Sequence, residues 1–308
     1  MQALEGAWYL AAVAYVGELY SLLSALLWAL AVIFFRKSGE QVPPVALNVF
    51  KGAVALVLFL VTMLVLRTPF SPPESSRADW LTLLASGAIG IGIADSLFFA
   101  SLNRLGATGS ALVDCVYGPF VVLLAWLYLG EPISATVPVA LALMAGAIGV
   151  GLRQPRSVTD AEERRRLRAG VALGVASMFL MAAGIVIAKP VLDRSGVLWA
   201  TLLRLVGGEA VLALFLLAPA HRQGALRAFS PGRHYRTLIP SALIGSYLAM
   251  IVWIAGIKHT SAIVAGILTQ TSTLFVPLLA ALFLGERLTR RRGIAVLLGF
   301  GGAVLALL

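Results

Sequence analysis

The segment LLAWLYLGEPIS at residues 123–134 returns, 155 positions later, as LLAALFLGERLT at residues 278–289. When the chain is shifted by 155 residues, residues 102–131 align without a gap, and 10 of these 30 positions are identical. The register also holds upstream, where Gly90 aligns with Gly245. A chance match would lose its register over that distance, so the sequence contains an internal duplication.

The composition is that of a helical membrane protein. Apolar residues make up 60% of the 308 positions, charged residues only 12%, and the mean hydropathy is +0.94. A soluble domain carries about 45–50% apolar and roughly 25% charged residues. The apolar residues come in runs of about 20, the length of a helix that crosses a bilayer. The alternation typical of a membrane β-barrel is missing from the sequence. We therefore predict an all-α membrane protein.

We predict ten transmembrane helices, arranged as two five-helix repeats. The predicted spans are 18–36, 45–66, 80–102, 107–129, 132–152, 170–189, 197–218, 237–257, 260–284 and 290–308. Residues 1–17 form an N-terminal segment without the basic n-region of a signal peptide. The first repeat is 18–152, the charged segment 153–169 is a linker, and the second repeat is 170–308.

The loop charges predict the orientation of the chain. The odd-numbered loops contain 17 Lys and Arg residues, and the even-numbered loops contain 5. Excess basic charge stays on the cytoplasmic side, so we expect the odd loops inside and both termini outside, which a reporter fused to the C-terminus would test. Because the formal charge of +10 is spread over these loops, it predicts a multi-pass protein of the cytoplasmic (inner) membrane and no nucleic-acid partner.

Five spans per unit is an odd number, so the second unit must enter the membrane from the opposite side. The repeats are then inverted, an architecture that recurs in transporters and places the substrate near the midplane, between the halves. The repeated Glu131 and Glu286 follow Gly130 and Gly285, which end their helices. For these carboxylates we predict a structural role, in which each caps the helix that follows.

These features resemble the EamA-type members of the drug/metabolite transporter superfamily. Each half ends its fourth span in Leu-Gly-Glu and carries a glycine-rich run in its fifth, LMAGAIGVGL at 143–152 and LLGFGGAVLAL at 297–307. Trp28, Lys51 and Arg204 also resemble that family's pattern. The resemblance implies a secondary transporter that exports amino acids or related metabolites. It also implies cytoplasmic termini for many relatives, whereas the loop charges of this chain favour the reverse.

Two carboxylates lie at the predicted depth of the midplane. Asp95 and Asp114 are each about 14–15 Å from the loop at Arg104, at 1.5 Å per residue. Ionisable residues inside a span are costly and mark functional sites. Two interpretations stay open: the carboxylates neutralise Lys51 and hold the halves together, or they bind a zwitterionic substrate or protons.

Polar and aromatic residues at similar depth complete the candidate site. Gln270 lies near the middle of span nine, and aromatic rings supply another wall. The predicted substrate-binding residues are Trp28, Asn48, Lys51, Asp95, Phe99, Asp114, Tyr117, Tyr247, Trp253 and Gln270. For each of them, packing against a neighbouring helix is the alternative. We predict no catalytic residue, no metal site and no cofactor.

The function predicted from these observations is secondary active export of small polar or zwitterionic metabolites, amino acids including aromatic ones first, by alternating access. The expected partners are a small-molecule substrate and the lipid bilayer, with protons as an open addition. A multidrug or other metabolite transporter is the alternative. A membrane-embedded enzyme is disfavoured, because GIGIAD at 90–95 lacks the Gly-x-Gly-Asp motif of intramembrane aspartyl proteases. The sequence also lacks the Gly-Lys-Ser/Thr loop that ATP-driven transport requires.

Overall fold

The structure, a computed structural model, describes residues 15–72, 74–130, 135–151, 161–260 and 262–305. Every regular element in these ranges is helical, which confirms the all-α prediction. The α-helices are α1 (Val16–Ser38), α2 (Pro44–Val65), α3 (Arg77–Gly87), α4 (Ala94–Asp114), α5 (Tyr117–Leu129), α6 (Val137–Gly151), α7 (Ala161–Arg194), α8 (Val197–Phe215), α9 (Pro219–Phe229), α10 (Tyr235–Ser241), α11 (Ala249–His259), α12 (Ala262–Thr269), α13 (Ser272–Leu284) and α14 (Arg290–Leu305). Two π-helical segments, Ala88–Ile93 and Ala242–Leu248, join α3 to α4 and α10 to α11.

Six helical stretches in the described part of the chain are long and apolar enough to cross a bilayer. They are Val16–Ser38, Pro44–Val65, Arg77–Asp114, Ala161–Arg194, Val197–Phe215 and Tyr235–His259. The other predicted spans are built from the shorter helices α5, α6, α12, α13 and α14. The membrane-protein prediction is therefore confirmed, while the count of ten crossings and the orientation stay predictions.

Predicted spans four and nine, 107–129 and 260–284, are not continuous helices. The first is interrupted between α4 and α5, and the second between α12 and α13. In the first, Pro119 has no N–H to bond the carbonyl group of Cys115, four residues earlier. In the second, the Thr273 hydroxyl donates to the Gln270 carbonyl oxygen at 2.8 Å, and such local bonds compete with the helix. Averaged hydropathy reveals neither interruption, because apolar residues flank both on each side; the second lies within the polar run 269–273.

The duplication is visible in the backbone itself. Shifted by 155 positions, α5 falls on α13, and the first π-helical segment falls within the second. Gly130 and Gly285 end these matching helices in the left-handed conformation, with φ of 72° and 66°. These are details of chain geometry, so the two repeats share a fold as well as a sequence pattern.

The two repeats are interleaved across the molecule. Helix α4 of the first repeat packs against α7, the first helix of the second, and α11 of the second packs against α1, the first helix of the first. Helices α6 and α14, which hold equivalent positions in the two repeats, pack against each other. Each repeat therefore buries its opening helix against the other repeat.

Glu286 caps a helix that belongs to the other repeat. Its Oε1 and Oε2 atoms accept hydrogen bonds from the backbone N–H groups of Ala107 and Thr108, at 2.8 and 3.1 Å. The bonded segment starts at Gly106, where a φ of 74° breaks α4. The prediction that this carboxylate caps its own following helix is corrected, while the structural role is in keeping with its contacts. Glu131 lies outside the described residues.

Two segments predicted as connections contain helix. Helix α7 begins at Ala161, inside the predicted linker 153–169, because Glu162 and Glu163 place negative charge in its first turn. Helix α9 occupies the predicted loop between spans seven and eight. Of the predicted N-terminal segment 1–17, only the last three residues are described, and α1 begins there at Val16.

Replacing Gly207 by alanine is expected to destabilise the protein by about 1–3 kcal/mol, the usual range for an overpacked contact. A Cβ at this position of α8 would overlap the backbone carbonyl group of Leu84 in α3, so the two helices would have to separate. Thermal unfolding in detergent measures the effect. Gly146→Ala is the matched control, because its Cβ meets no atom within 4 Å. Equal melting temperatures for the two variants would contradict the close contact.

Candidate functional site

The interruptions of the two repeats lie against each other. The Nε2 atom of Gln270, at the end of α12, donates to the backbone carbonyl oxygen of Asp114 at 3.2 Å. Asp114 is the last residue of α4, so the bond joins the two breaks directly. Discontinuous helices of this kind expose backbone dipoles, which transporters use to bind charged groups.

A cavity of about 100 Å³ opens at this meeting point. Because one buried water needs roughly 10–15 Å³ on this measure, the cavity has room for several water-sized groups. Seven of the ten residues predicted from the sequence line it: Trp28, Lys51, Asp95, Asp114, Tyr117, Trp253 and Gln270. Both repeats contribute to the wall, as an inverted-repeat carrier requires.

The other three predicted residues do not line the cavity. The amide of Asn48 donates to backbone carbonyl oxygens of the first π-helical segment, 2.9 Å from that of Ile91. Phe99 is fully buried against the ring of Phe35, with the ring centroids 4.9 Å apart. The hydroxyl of Tyr247 bonds that of Thr62. In the structure these three side chains connect helices.

Lys51 and Asp95 form a buried ion pair. The Nζ atom of Lys51 lies 2.6 Å from Oδ2 of Asp95, and the two residues are 2% and 6% exposed. The ammonium group also lies 5.6 Å from the centroid of the Phe99 ring. The pair joins α2 to α4 within the first repeat. It supports the charge-neutralisation interpretation for Asp95.

Arg204 is a cavity residue that sequence reasoning left out of the site. It is 1% exposed, and neither its Nε nor its Nη1 atom has a hydrogen-bond partner in the described residues. Its guanidinium carbon lies 5.7 Å from the centroid of the Trp253 ring. A charged residue in the middle of an apolar run was the available signal. The 1.5 Å rise per residue places Arg204, like Lys51, about a third of the way into its span, and the family resemblance includes it, but neither led to its selection for the site.

The rest of the cavity wall is mainly apolar, although Ser24, Ser246, Thr269 and Ser272 also line it. Met178 and Met181 of α7 and Met250 of α11 line it together with the two tryptophans. The ring of Trp28 is held in place by that of Phe98, with the centroids 5.5 Å apart. Methionine side chains adapt to differently shaped apolar groups. The cavity therefore combines fixed charges with a deformable apolar surface.

Polar contacts join the repeats at the end of the molecule that carries the even-numbered loops. Arg194, at the end of α7, forms an ion pair with Asp79 at the start of α3. The hydroxyl of Thr260, after α11, donates to Oε1 of Glu18 in α1 at 3.2 Å. Since Glu286 joins the repeats at the opposite end, polar bonds between the repeats flank the cavity on both sides.

Two duplicated helical units that meet around a central cavity, with interrupted helices at its centre, define a membrane transporter by architecture. The comparison with known families agrees: the chain belongs to the EamA-like transporter family, whose model matches residues 15–152 and 168–308. The resemblance read from the Leu-Gly-Glu repeats is thereby confirmed.

Individual relatives agree with this placement. The chain is 26% identical over 230 residues to Protein PecM of Dickeya dadantii (strain 3937), an alignment that covers 73% of each protein. A solved crystal structure superposes with a TM-score of 0.66 over 94% of this chain and 95% of the other, at 18% identity. At that identity the superposition shows the shared fold alone.

Proposed function

We propose that this protein is a secondary active transporter that exports small polar or zwitterionic metabolites, with amino acids, including aromatic ones, as the first candidates. The observation that carries the proposal is the cavity between the two repeats, in which charged groups and aromatic rings lie side by side. Charged groups there select polar solutes, and rings accommodate an apolar side chain. Alternating access then opens this one site to each side of the membrane in turn.

The proposed architecture is ten crossings in two inverted repeats, in the cytoplasmic membrane, with both termini outside. The equivalent breaks in spans four and nine support it, because an interrupted span still crosses the bilayer when its two short helices follow each other. The opening helix of each repeat packs against the other repeat, α1 against α11 and α7 against α4, and this reciprocal packing supports a symmetric arrangement.

Multidrug transport is the second candidate, and the methionines favour it. Met178, Met181 and Met250 give the cavity a surface that can adapt to several apolar ligands. A lipophilic cation would use these side chains together with the carboxylate of Asp114.

Flux into proteoliposomes decides between the two candidates. We expect the purified protein to transport neutral amino acids. Nucleosides and lipophilic cations are the comparison substrates, and each flux is measured with and without a proton gradient. Flux that responds to the gradient would add protons to the transport cycle. If lipophilic cations moved and amino acids did not, the multidrug alternative would replace our proposal.

A further inference from the structure

We propose that Arg204 and Asp114 bind the two charged groups of a zwitterionic substrate, Arg204 its carboxylate and Asp114 its ammonium group. The inference rests on the proposed function, because it takes the occupant of the central cavity to be the transported solute. It makes Arg204 a specificity-determining residue. In this assignment Lys51 and Asp95 stabilise the fold, while Arg204 and Asp114 bind the substrate.

Arg204 is built as an anion site. Its guanidinium lies over the ring of Trp253, and its buried Nε and Nη1 atoms have no hydrogen-bond partner among the described residues. A buried charged donor without a partner costs free energy that a ligand can recover. A guanidinium presents its N–H groups as a planar fork, which matches the two oxygen atoms of a carboxylate.

The other charges of the site do not neutralise Arg204. Within the described residues, the ion pairs are Arg36–Glu40, Lys51–Asp95, Lys189–Asp193 and Arg194–Asp79. Asp95 lies close enough to Arg204 to interact with it electrostatically, yet its carboxylate is bonded to Lys51. Lys51 and Asp95 of the first repeat thus neutralise each other, and the positive charge of Arg204 can bind an anionic group of the substrate.

Asp114 is placed to receive the opposite charge. It lies at the carboxyl end of α4, where the helix dipole favours a cation. Its carboxylate takes part in no ion pair of the described ranges. The Oε1 atom of Gln270, which lines the same cavity, is buried without a donor. An ammonium group has three N–H donors and no acceptor, so it suits these oxygen atoms.

Among the described residues, neither the guanidinium of Arg204 nor the carboxylate of Asp114 has an ion-pair partner, and both line the cavity. A zwitterion satisfies both at once, and its side chain can lie against the methionines and tryptophans. A lipophilic cation would leave Arg204 unpaired, and a neutral solute would leave both charges unpaired. The charge pattern thus points to α-amino acids with an apolar side chain among the metabolites proposed above.

Binding of three related compounds to the detergent-solubilised wild-type protein tests the assignment. The probes are phenylalanine, its methyl ester, which lacks the carboxylate, and 3-phenylpropanoate, which lacks the ammonium group. We expect each incomplete analogue to bind about 10- to 100-fold more weakly than phenylalanine, the usual effect of one lost hydrogen bond to a charged group. Equal binding of phenylalanine and the ester would overturn the assignment of Arg204.

Two variants test which residue recognises the carboxylate and which recognises the ammonium group of the ligand. Arg204→Gln is expected to abolish the preference for phenylalanine over its ester and to keep the preference over 3-phenylpropanoate. Asp114→Asn should do the reverse. The control is Arg104→Gln, which removes the same charge from an arginine whose Nη1 atom bonds only the carbonyl group of Ala100, away from the cavity. A folded Arg204→Gln protein that keeps the preference for phenylalanine would refute the proposal.

Two further outcomes separate this inference from the proposed function. If Arg204→Gln does not fold, Arg204→Lys keeps the charge without the planar fork, and the wild-type comparison of phenylalanine with its ester still decides the question. If proteoliposomes transport phenylalanine and its ester equally well, the carboxylate site fails while amino-acid transport stands. If neither is transported, the proposed function fails as well.

Discussion

Asp95→Asn is expected to destabilise the protein by about 3–5 kcal/mol, which is the cost of breaking a buried ion pair from one side. The substitution leaves the ammonium group of Lys51 in a site where the lysine is only 2% exposed. The contact with the Phe99 ring recovers only a small part of that cost, because a cation–π interaction contributes about 0.5–2 kcal/mol. Thermal and denaturant unfolding in a fixed detergent measure the change.

Removing both charges tests whether the pair is structural. The double variant Lys51→Met with Asp95→Asn is expected to regain most of the lost stability, since no uncompensated charge remains. Glu40→Gln is the control, because it removes a carboxylate from the Arg36–Glu40 pair, whose side chains are 25% and 58% exposed, and exposed pairs contribute little. Stability of the Asp95→Asn single variant equal to that of the wild type would contradict a structural pair.

Asp114→Asn is expected to give the opposite result: a stable fold, and transport of neutral amino acids reduced at least about tenfold. This carboxylate has no ion-pair partner in the described ranges, so neutralising it removes a partly buried charge and leaves no other charge unpaired. The ammonium group of the substrate would lose its counter-charge, and one lost charged hydrogen bond corresponds to roughly tenfold or more. Initial flux in proteoliposomes, normalised to folded protein, is the measurement.

Glu40→Gln serves again as the comparison, now for flux, and should transport at the wild-type rate. A stable Asp114→Asn protein with full activity would remove Asp114 from the substrate site. Loss of folding in that variant would assign it a structural role instead. The two aspartates, at equal predicted depth, thus receive different roles that one pair of assays can separate.

Much of the fold was open to prediction because it depends on patterns that hydropathy and repetition expose. The 155-residue shift predicted matching elements, and the structure places α5 and α13 at that spacing. The helix breaks were hidden, because apolar segments flank both Pro119 and the polar run 269–273, so that each stretch was predicted as one uninterrupted span. A break in a membrane helix is set by a few backbone bonds, which contribute nothing to an averaged hydropathy.

The site could be predicted to the extent that the depth of a residue in the membrane determines whether it lines the cavity. Charged or amide groups inside a span need a partner. Asp95, Asp114 and Gln270 were selected for that reason near the midplane, and Lys51 about a third of the way into its span; all four line the cavity. Asn48 satisfied the same criterion, yet its amide bonds carbonyl groups of a π-helical segment that sequence reasoning did not predict. Depth therefore selects polar residues correctly without showing which partner each one finds.

Arg204 was overlooked for a related reason. Its distance from the nearest predicted loop placed it about a third of the way into its span, by the 1.5 Å rise per residue. That estimate ignores how closely α8 lies against α3, where Gly87 and Gly207 let the two backbones meet. Lys51 was selected at a similar estimated depth, so depth did not separate the two residues. A cavity that forms where helices meet can take in a residue that depth alone does not select.

The packing of α1 against α11 also sets the order of events during synthesis. Helix α1 ends at Ser38 and α11 begins at Ala249, so the ribosome must add about 200 residues before the partner exists. At about 5–20 residues per second, that takes roughly 10–40 s. During this interval the small and polar face of α1, with Gly17, Ser21 and Ser24, can bury itself only in lipid, in the insertion machinery or against helices made earlier. Helix insertion must therefore precede assembly, and a nascent chain that stalls before α11 leaves its first helix without its packing partner in the membrane.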